Sequence, residues 1–290
     1  MTVKTIKLGK FAVCVENLEL WQKLDPGIRG RLATVLSQQG VLVFKRQALC
    51  ESELVVFSRN FGHPEKIVRD DWKSENQPEI IQISNMRDNQ GKSIGGLGSG
   101  ELEWHCDQSY VRVPATGSLL YMVEMPKEPP RTYWANLQLA YQGLSTSIKQ
   151  KVDGLDVIYD YFVRQSKYDD EPKMSAELRN KTPPVIHPLV NTHPVTGLKS
   201  LYLDPSTASQ IMGWSKIQSD ELFKELVDHS ENKEFVYCHH WNIGDVVLWD
   251  NGFLMHRRDS FNPASNRLLK RTTLRLPSDI HIVPEGRLVA

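Results

Sequence analysis

The stretch ELEWHCDQSY (101–110) sets a histidine and an aspartate two positions apart, His105 and Asp107, with Cys106 between them and Trp104 just before. Imidazole nitrogens and carboxylate oxygens both bind divalent metals. If 104–110 is a strand, side chains alternate, so His105 and Asp107 share one face while Trp104, Cys106 and Gln108 take the other. Two such ligands sit roughly 6–7 Å apart at the backbone and converge on one ion, with Cys106 facing away. The competing reading is three polar residues on the flank of an ordinary strand, because a His-x-Asp pair also recurs by chance.

A third ligand would decide. Two neutral imidazoles and one carboxylate on one face of a metal form the facial triad of non-haem Fe(II) oxygenases, which leaves positions open for a co-substrate and oxygen. The other histidines are His63, His187, His193, His229, His239, His240, His256 and His281. His193 falls in a turn and His229 near a helix end, so both are expected in solvent. His281 has few polar neighbours in sequence, and of the adjacent His239 and His240 only one can face inward, in a structural role. His256 is different. It follows DVVLWDNGFLM, a strand, a tight turn and an apolar step, and it precedes two arginines four residues apart, Arg267 and Arg271. A guanidinium grips a carboxylate through two parallel hydrogen bonds, so an arginine after the third ligand suits the far carboxylate of a dicarboxylic co-substrate.

WHCD (104–107), WDN (249–251) with His256, and NRLLKRTTL (266–274) together resemble the taurine dioxygenase and 2,4-dichlorophenoxyacetate dioxygenase family of Fe(II)/2-oxoglutarate-dependent oxygenases. The resemblance extends to GVLVFKRQALCESELVVFSRNFG (40–62) and EFVYCHHWNIGDVVLWDN (234–251), and so covers nearly the whole chain. It implies a double-stranded β-helix, or jelly roll, with iron on His105, Asp107 and His256. It also implies that Arg267 and Thr132, in RTYW (131–134), hold the distal carboxylate of 2-oxoglutarate, and that Arg271 lies near the co-substrate and an anionic group of the substrate. Two departures stand out. The glycine-rich, acidic GGLGSGELEW (95–104) replaces the small polar residue that helps hold a sulfonate, which argues against taurine itself, and Arg131 replaces a more usual acidic residue.

The implied activity couples decarboxylation of 2-oxoglutarate, with O2, to succinate and CO2 with hydroxylation, or a related C–H oxidation, of a small organic substrate that Arg271 would favour as an anion. Desaturation and ring formation use the same scaffold. Halogenation does not fit, because Asp107 retains the carboxylate that halide would replace. Gln108, Tyr110 and Tyr202 are further candidates to line the substrate pocket, although strand packing accounts equally well for the two tyrosines. Two rivals use other chemistry: a zinc-type hydrolase on the same three ligands, and a non-catalytic jelly-roll binding protein. Arg267 and Thr132 weigh against the first, since a hydrolase does not need a dicarboxylate clamp, and an intact triad weighs against the second.

The elements that must position these residues are mostly strands. VLVF (41–44), IIQIS (80–84), SLLYMVEM (118–125), VIYDYF (157–162), KSLYL (199–203), EFVYCHHW (234–241) and DVVLWD (245–250) are rich in β-branched and aromatic residues. Ile28, Leu32, Val35 and Leu36 share one helical face, ended by Gly40, and helices are expected near 51–62, 135–152 and 219–230, the last capped by Ser219. This mixture predicts a mainly β single domain over 1–290, a jelly roll with helical additions. The polar, proline-punctuated 165–184 reads as a long loop, either a lid or a surface insertion. Thirty-five basic residues balance 35 acidic ones, so no field steers the chain to nucleic acid or an anionic membrane. Four cysteines without CxxC spacing, no signal-peptide core and no long apolar run predict a reduced cytoplasmic protein. The family resemblance adds a homo-oligomer, a dimer or a tetramer.

Overall fold

Apolar runs such as VLVF and VVLW are buried on both faces, and the fold shows why. The structure, a computed structural model, describes residues 3–65, 72–165 and 175–289. Val246 and Leu248 point to a core under the N-terminal helices, whereas Val247 and Trp249, one step out of phase, point into a second core between two sheets. Leu42 and Phe44 against Val41 and Val43 repeat the same division. A strand covered on both sides loses the polar alternation of a surface strand.

The larger sheet runs Lys4–Lys7, Ala12–Glu16, Val41–Phe44, Val246–Asp250, Gly117–Glu124, Leu268–Arg275 and His63–Pro64, with Ile80–Ser84 also paired to Leu268–Arg275. The smaller one runs Val236–His239, Thr132–Asn136, Leu254–Arg258 and Leu102–His105. Trp134 and Leu254 from the smaller sheet meet Leu120, Met122, Trp249 and Leu269 from the larger one, which closes a jelly roll. A third core behind the smaller sheet takes Trp104, Ala135 and Met255 together with helix residues Leu222 and Leu226. Parity along each strand therefore sends His105, His256, Ser118 and Arg271 into the space between the sheets.

Helix Pro26–Gln39 begins at Asp25, whose side chain accepts from the Gly27 and Ile28 amides, and ends at Gly40 with φ 89°. A side chain there would be strained and would meet the Phe253 ring at 2.8 Å. Several boundaries differ from the sequence reading. The helix expected over 135–152 is the end of a strand followed by two helices, Leu137–Gly143 and Thr146–Val152, because Ser145 caps a new start by accepting from the Ile148 amide. The strand expected over 157–162 stops at Tyr159, and Tyr161–Gln165 is helical. The late helix runs Lys216–Ser230, capped by Ser215; Ser219 lies inside it, its buried hydroxyl accepting from the Ile211 amide. Of the expected loop 165–184, residues 166–174 lie outside the described residues, and Ala176–Lys181 is a short helix. No helix among the described residues is long and apolar enough to cross a membrane.

Candidate active site

The strand that carries His105 ends there. Leu102–His105 is extended, and Asp107 opens a turn in which Gln108 has φ 57°. His105 and Asp107 therefore converge because the chain turns back, not because one pleat presents both. Cys106 does face away, as the period-two reading requires, with its thiol against the Leu203 and Leu254 carbonyls in the outer core. His256 stands directly opposite His105 in the ladder, their ring centroids 4.1 Å apart. One ligand atom from each of His105, Asp107 and His256 lies within 4.8 Å of the others, and all three residues are buried, so the group is able to hold one metal ion.

The surroundings set the protonation that a metal needs. Burial, then Arg164, lowers the His105 pKa, and burial, then His105, lowers that of His256 further, so both imidazoles are neutral. Burial alone would raise the Asp107 pKa, but Arg271, His256 and His105 outweigh it and hold the carboxyl well below its usual range. Two neutral donors and one ionised oxygen need lose no proton to bind a cation. His105 Nδ1 donates to the Glu103 carbonyl at 2.7 Å, which leaves Nε2 with its lone pair. His256 Nδ1 is buried without a hydrogen-bond partner among the described residues. The Asp107 carboxylate is held on both oxygens, by Arg271 at 2.9 Å on Oδ1 and by Ser118 at 2.5 Å on Oδ2.

Two cavities meet at this group and share Leu97, His105 and Arg271. The first reaches Thr132, His256 and Arg267. Arg267 is 2 % exposed, its Nε has no partner among the described residues, and burial with nearby Arg258 pulls its pKa well down. A cation so placed favours an anion beside it. Thr132 accepts from Trp241 Nε1 at 2.9 Å, so its own proton is available to the cavity. The second cavity is lined by Trp72, Gln108, Tyr110, Tyr161, Arg164 and Asp204 among others. Tyr110 and Tyr161 lie ring to ring at 4.5 Å. Asp204 accepts from Ser109, Thr207 and both the amide and hydroxyl of Ser206, which ties the turn after Asp107 to a second turn.

Tyr202 lines neither cavity. Its ring is core, 5.8 Å from Tyr159 and 5.5 Å from His187, and packing explains it. His193 and His281, expected in solvent or poorly partnered, are buried. His193 donates to the Ser37 carbonyl and accepts from the Val195 and Thr196 amides, and His281 Nδ1 lies 2.6 Å from Asp250 Oδ2. His229 is half-buried on the Ala140 carbonyl. His239 is the inward member of its pair, beside Asp245, and His240 is exposed. Sequence reasoning missed Ser118, whose signal is a hydroxyl at an inward position of an otherwise apolar strand. It also missed Arg164 and Trp72, which reach the site only through the fold.

A family model described as taurine catabolism dioxygenase TauD, TfdA family, matches residues 6–273. The α-ketoglutarate-dependent 2,4-dichlorophenoxyacetate dioxygenase of Cupriavidus pinatubonensis is 30% identical over 274 residues, covering 91% of this chain and 94% of that protein. Pentalenolactone F synthase of Streptomyces avermitilis is 28% identical, covering 87% and 83%. Among solved structures, AAD-2 in complex with Mn(II) and N-oxalylglycine superposes with a TM-score of 0.82 at 28% identity, covering 96% of this chain and 98% of that one. A taurine dioxygenase from Burkholderia xenovorans gives 0.81 at 27% identity, covering 99% and 95%. The family match takes in every residue that lines the two cavities, and the chain belongs to the TauD/TfdA family as an Fe(II)- and 2-oxoglutarate-dependent dioxygenase.

Proposed function

We propose that His105, Asp107 and His256 hold the iron, that Arg267 and Thr132 take the far carboxylate of 2-oxoglutarate, and that the enzyme hydroxylates a small organic anion seated in the second cavity. The observation that carries the co-substrate assignment is the buried Arg267 guanidinium, which faces a cavity bordering the three metal-binding side chains. When bound, iron with 2-oxoglutarate supplies the power to oxidise an unactivated C–H bond, with succinate and CO2 as the co-products. The chain's own residues bind and orient. Thr132 donates its free proton, Arg267 offers a fork of donors, and the Leu120 and Trp249 walls exclude water from the clamp.

The substrate reading rests on the lining of the second cavity. Arg164 and Arg271 are both cations there, and Trp72, Tyr110 and Tyr161 supply flat apolar faces. Such a wall suits a carboxylate or sulfate on an aromatic or compact apolar body, a chemistry shared with the 2,4-dichlorophenoxyacetate named for one relative and the sulfate ester named for another. A zinc-type hydrolase needs no dicarboxylic co-substrate, and so leaves the clamp of Arg267 and Thr132 without a task. Succinate formation on adding Fe(II), 2-oxoglutarate and O2, accelerated by a panel of aryl carboxylates and alkyl sulfates, tests the assignment. No succinate with any of them would sink it. Mass analysis of the product separates hydroxylation, which adds one oxygen atom, from desaturation or ring formation, which removes two hydrogens. Self-association into a dimer or tetramer, part of the same reading, is decided by light scattering on the eluted protein.

A further inference from the structure

Behind Asp107 runs a line of polar side chains whose direction is set at its far end. Trp249 Nε1 lies 2.7 Å from Asn251 Oδ1. An indole N–H only donates, so Asn251 turns its carbonyl toward the tryptophan and its amide nitrogen the other way. That nitrogen is 3.1 Å from Ser118 Oγ and also only donates. The Ser118 hydroxyl therefore accepts from Asn251 and directs its own proton to Asp107 Oδ2, at 2.5 Å. All four residues are buried, so no bulk water competes for these groups. The line always delivers a donor to the carboxylate and never an acceptor.

Backbone pairing does not need it. Trp249 and Ser118 are already opposite one another in the ladder between Val246–Asp250 and Gly117–Glu124. What the line adds falls on Asp107, and it gives a task to Trp249 and Asn251 of the WDN stretch. Oδ1 faces Arg271, which borders both cavities, whereas Oδ2 faces a buried and directionally fixed hydroxyl.

We infer that Ser118, held by Asn251 and Trp249, is a positioning residue that fixes the plane of the Asp107 carboxylate and so the direction in which it meets the metal. This inference rests on Asp107 being an iron ligand. It is tested by titrating the metal-free protein with Co(II), followed by the visible absorption of the bound ion, beside thermal melting of the same metal-free samples. Ser118→Ala should weaken Co(II) binding by about 10–100-fold, the range for losing a partner of a metal ligand, and Ser118→Thr, which keeps the hydroxyl, should recover to within about threefold of wild type. Co(II) binding by Ser118→Ala within about twofold of wild type overturns the inference, as does a threonine variant as weak as the alanine one. If Ser118→Ala does not fold, Asn251→Ala decides: it frees the Ser118 hydroxyl to turn, so affinity should drop about threefold or more, and an unchanged affinity overturns the idea. A wild-type protein that takes up no Co(II) refutes the metal-site reading itself, a different result from a wild type and a Ser118→Ala variant that bind alike.

Discussion

The two cavities that meet at His105 and Arg271 are built in different ways. The one reaching Arg267 and Thr132 is walled mainly by strands: Gly117–Glu124 lies between Val246–Asp250 and Leu268–Arg275, Thr132–Asn136 lies between Val236–His239 and Leu254–Arg258, and Arg267 immediately precedes Leu268–Arg275. The one reaching Arg164 is walled by the turn after Asp107, the five-residue helix Tyr161–Gln165 and the turn held by Asp204. Paired strands hold a side chain within tenths of an ångström, which suits a co-substrate that never changes. Turns and short helices accept change without disturbing the ladder, which suits the part that selects a substrate. The fold thus separates the chemistry from the choice of what it acts on.

Substitutions should break the two sides apart. His256→Ala, at the junction, should abolish succinate formation with or without substrate and remove metal uptake. Arg267→Ala should raise the KM for 2-oxoglutarate about 100-fold, the cost of deleting one partner of a buried charge pair, and Arg267→Lys should fall between because it keeps the charge but loses the fork. Arg164→Gln should lower kcat/KM for an anionic substrate about tenfold while leaving the KM for 2-oxoglutarate within about twofold. An equal loss for both would mean that the two sides are coupled and the division is wrong. The smallest effect belongs to Tyr202→Phe. It should leave both KM values within about twofold, since a near-isosteric change in the core lies outside both walls.

Acid should tell on the junction as well. His105 and His256 are buried neutral, with pKa values below the usual 6.5. As pH falls through 6.5 the unfolded chain gains protons that the folded one refuses, so stability of the metal-free protein declines. Asp107, with its pKa depressed, contributes stability above 3.8 that is lost at still lower pH, in the same direction. Melting of the metal-free protein across this range should show the decline, and His256→Ala should shed part of it.

Much of this was legible in the residues, though not always for the right reason. His105 and Asp107 were found from their spacing, but a strand pleat was the wrong geometry; a turn at Asp107 brings them together. His256 and Arg267 emerged from context and family pattern, and the ladder explains why His256 faces His105. Apolar runs announced the doubly covered strands. The rest depended on contacts between distant segments. Nothing local marks Arg164 as a cavity residue, and nothing in the turn at His193 or in the C-terminal segment tells that His193 and His281 are buried against Ser37 and Asp250. Ser219 looked like a cap because its neighbours are polar, but the capping hydroxyl is one turn earlier at Ser215.

The central claim is a metal held by three side chains with 2-oxoglutarate clamped beside it by Arg267. Titrating the Fe(II)-loaded protein with 2-oxoglutarate under argon, and following the weak visible charge-transfer band, tests it most directly. The band should grow to saturation in the wild type, need far more 2-oxoglutarate in Arg267→Ala, and be missing in His256→Ala. A His256→Ala protein whose band matches the wild type would contradict the account.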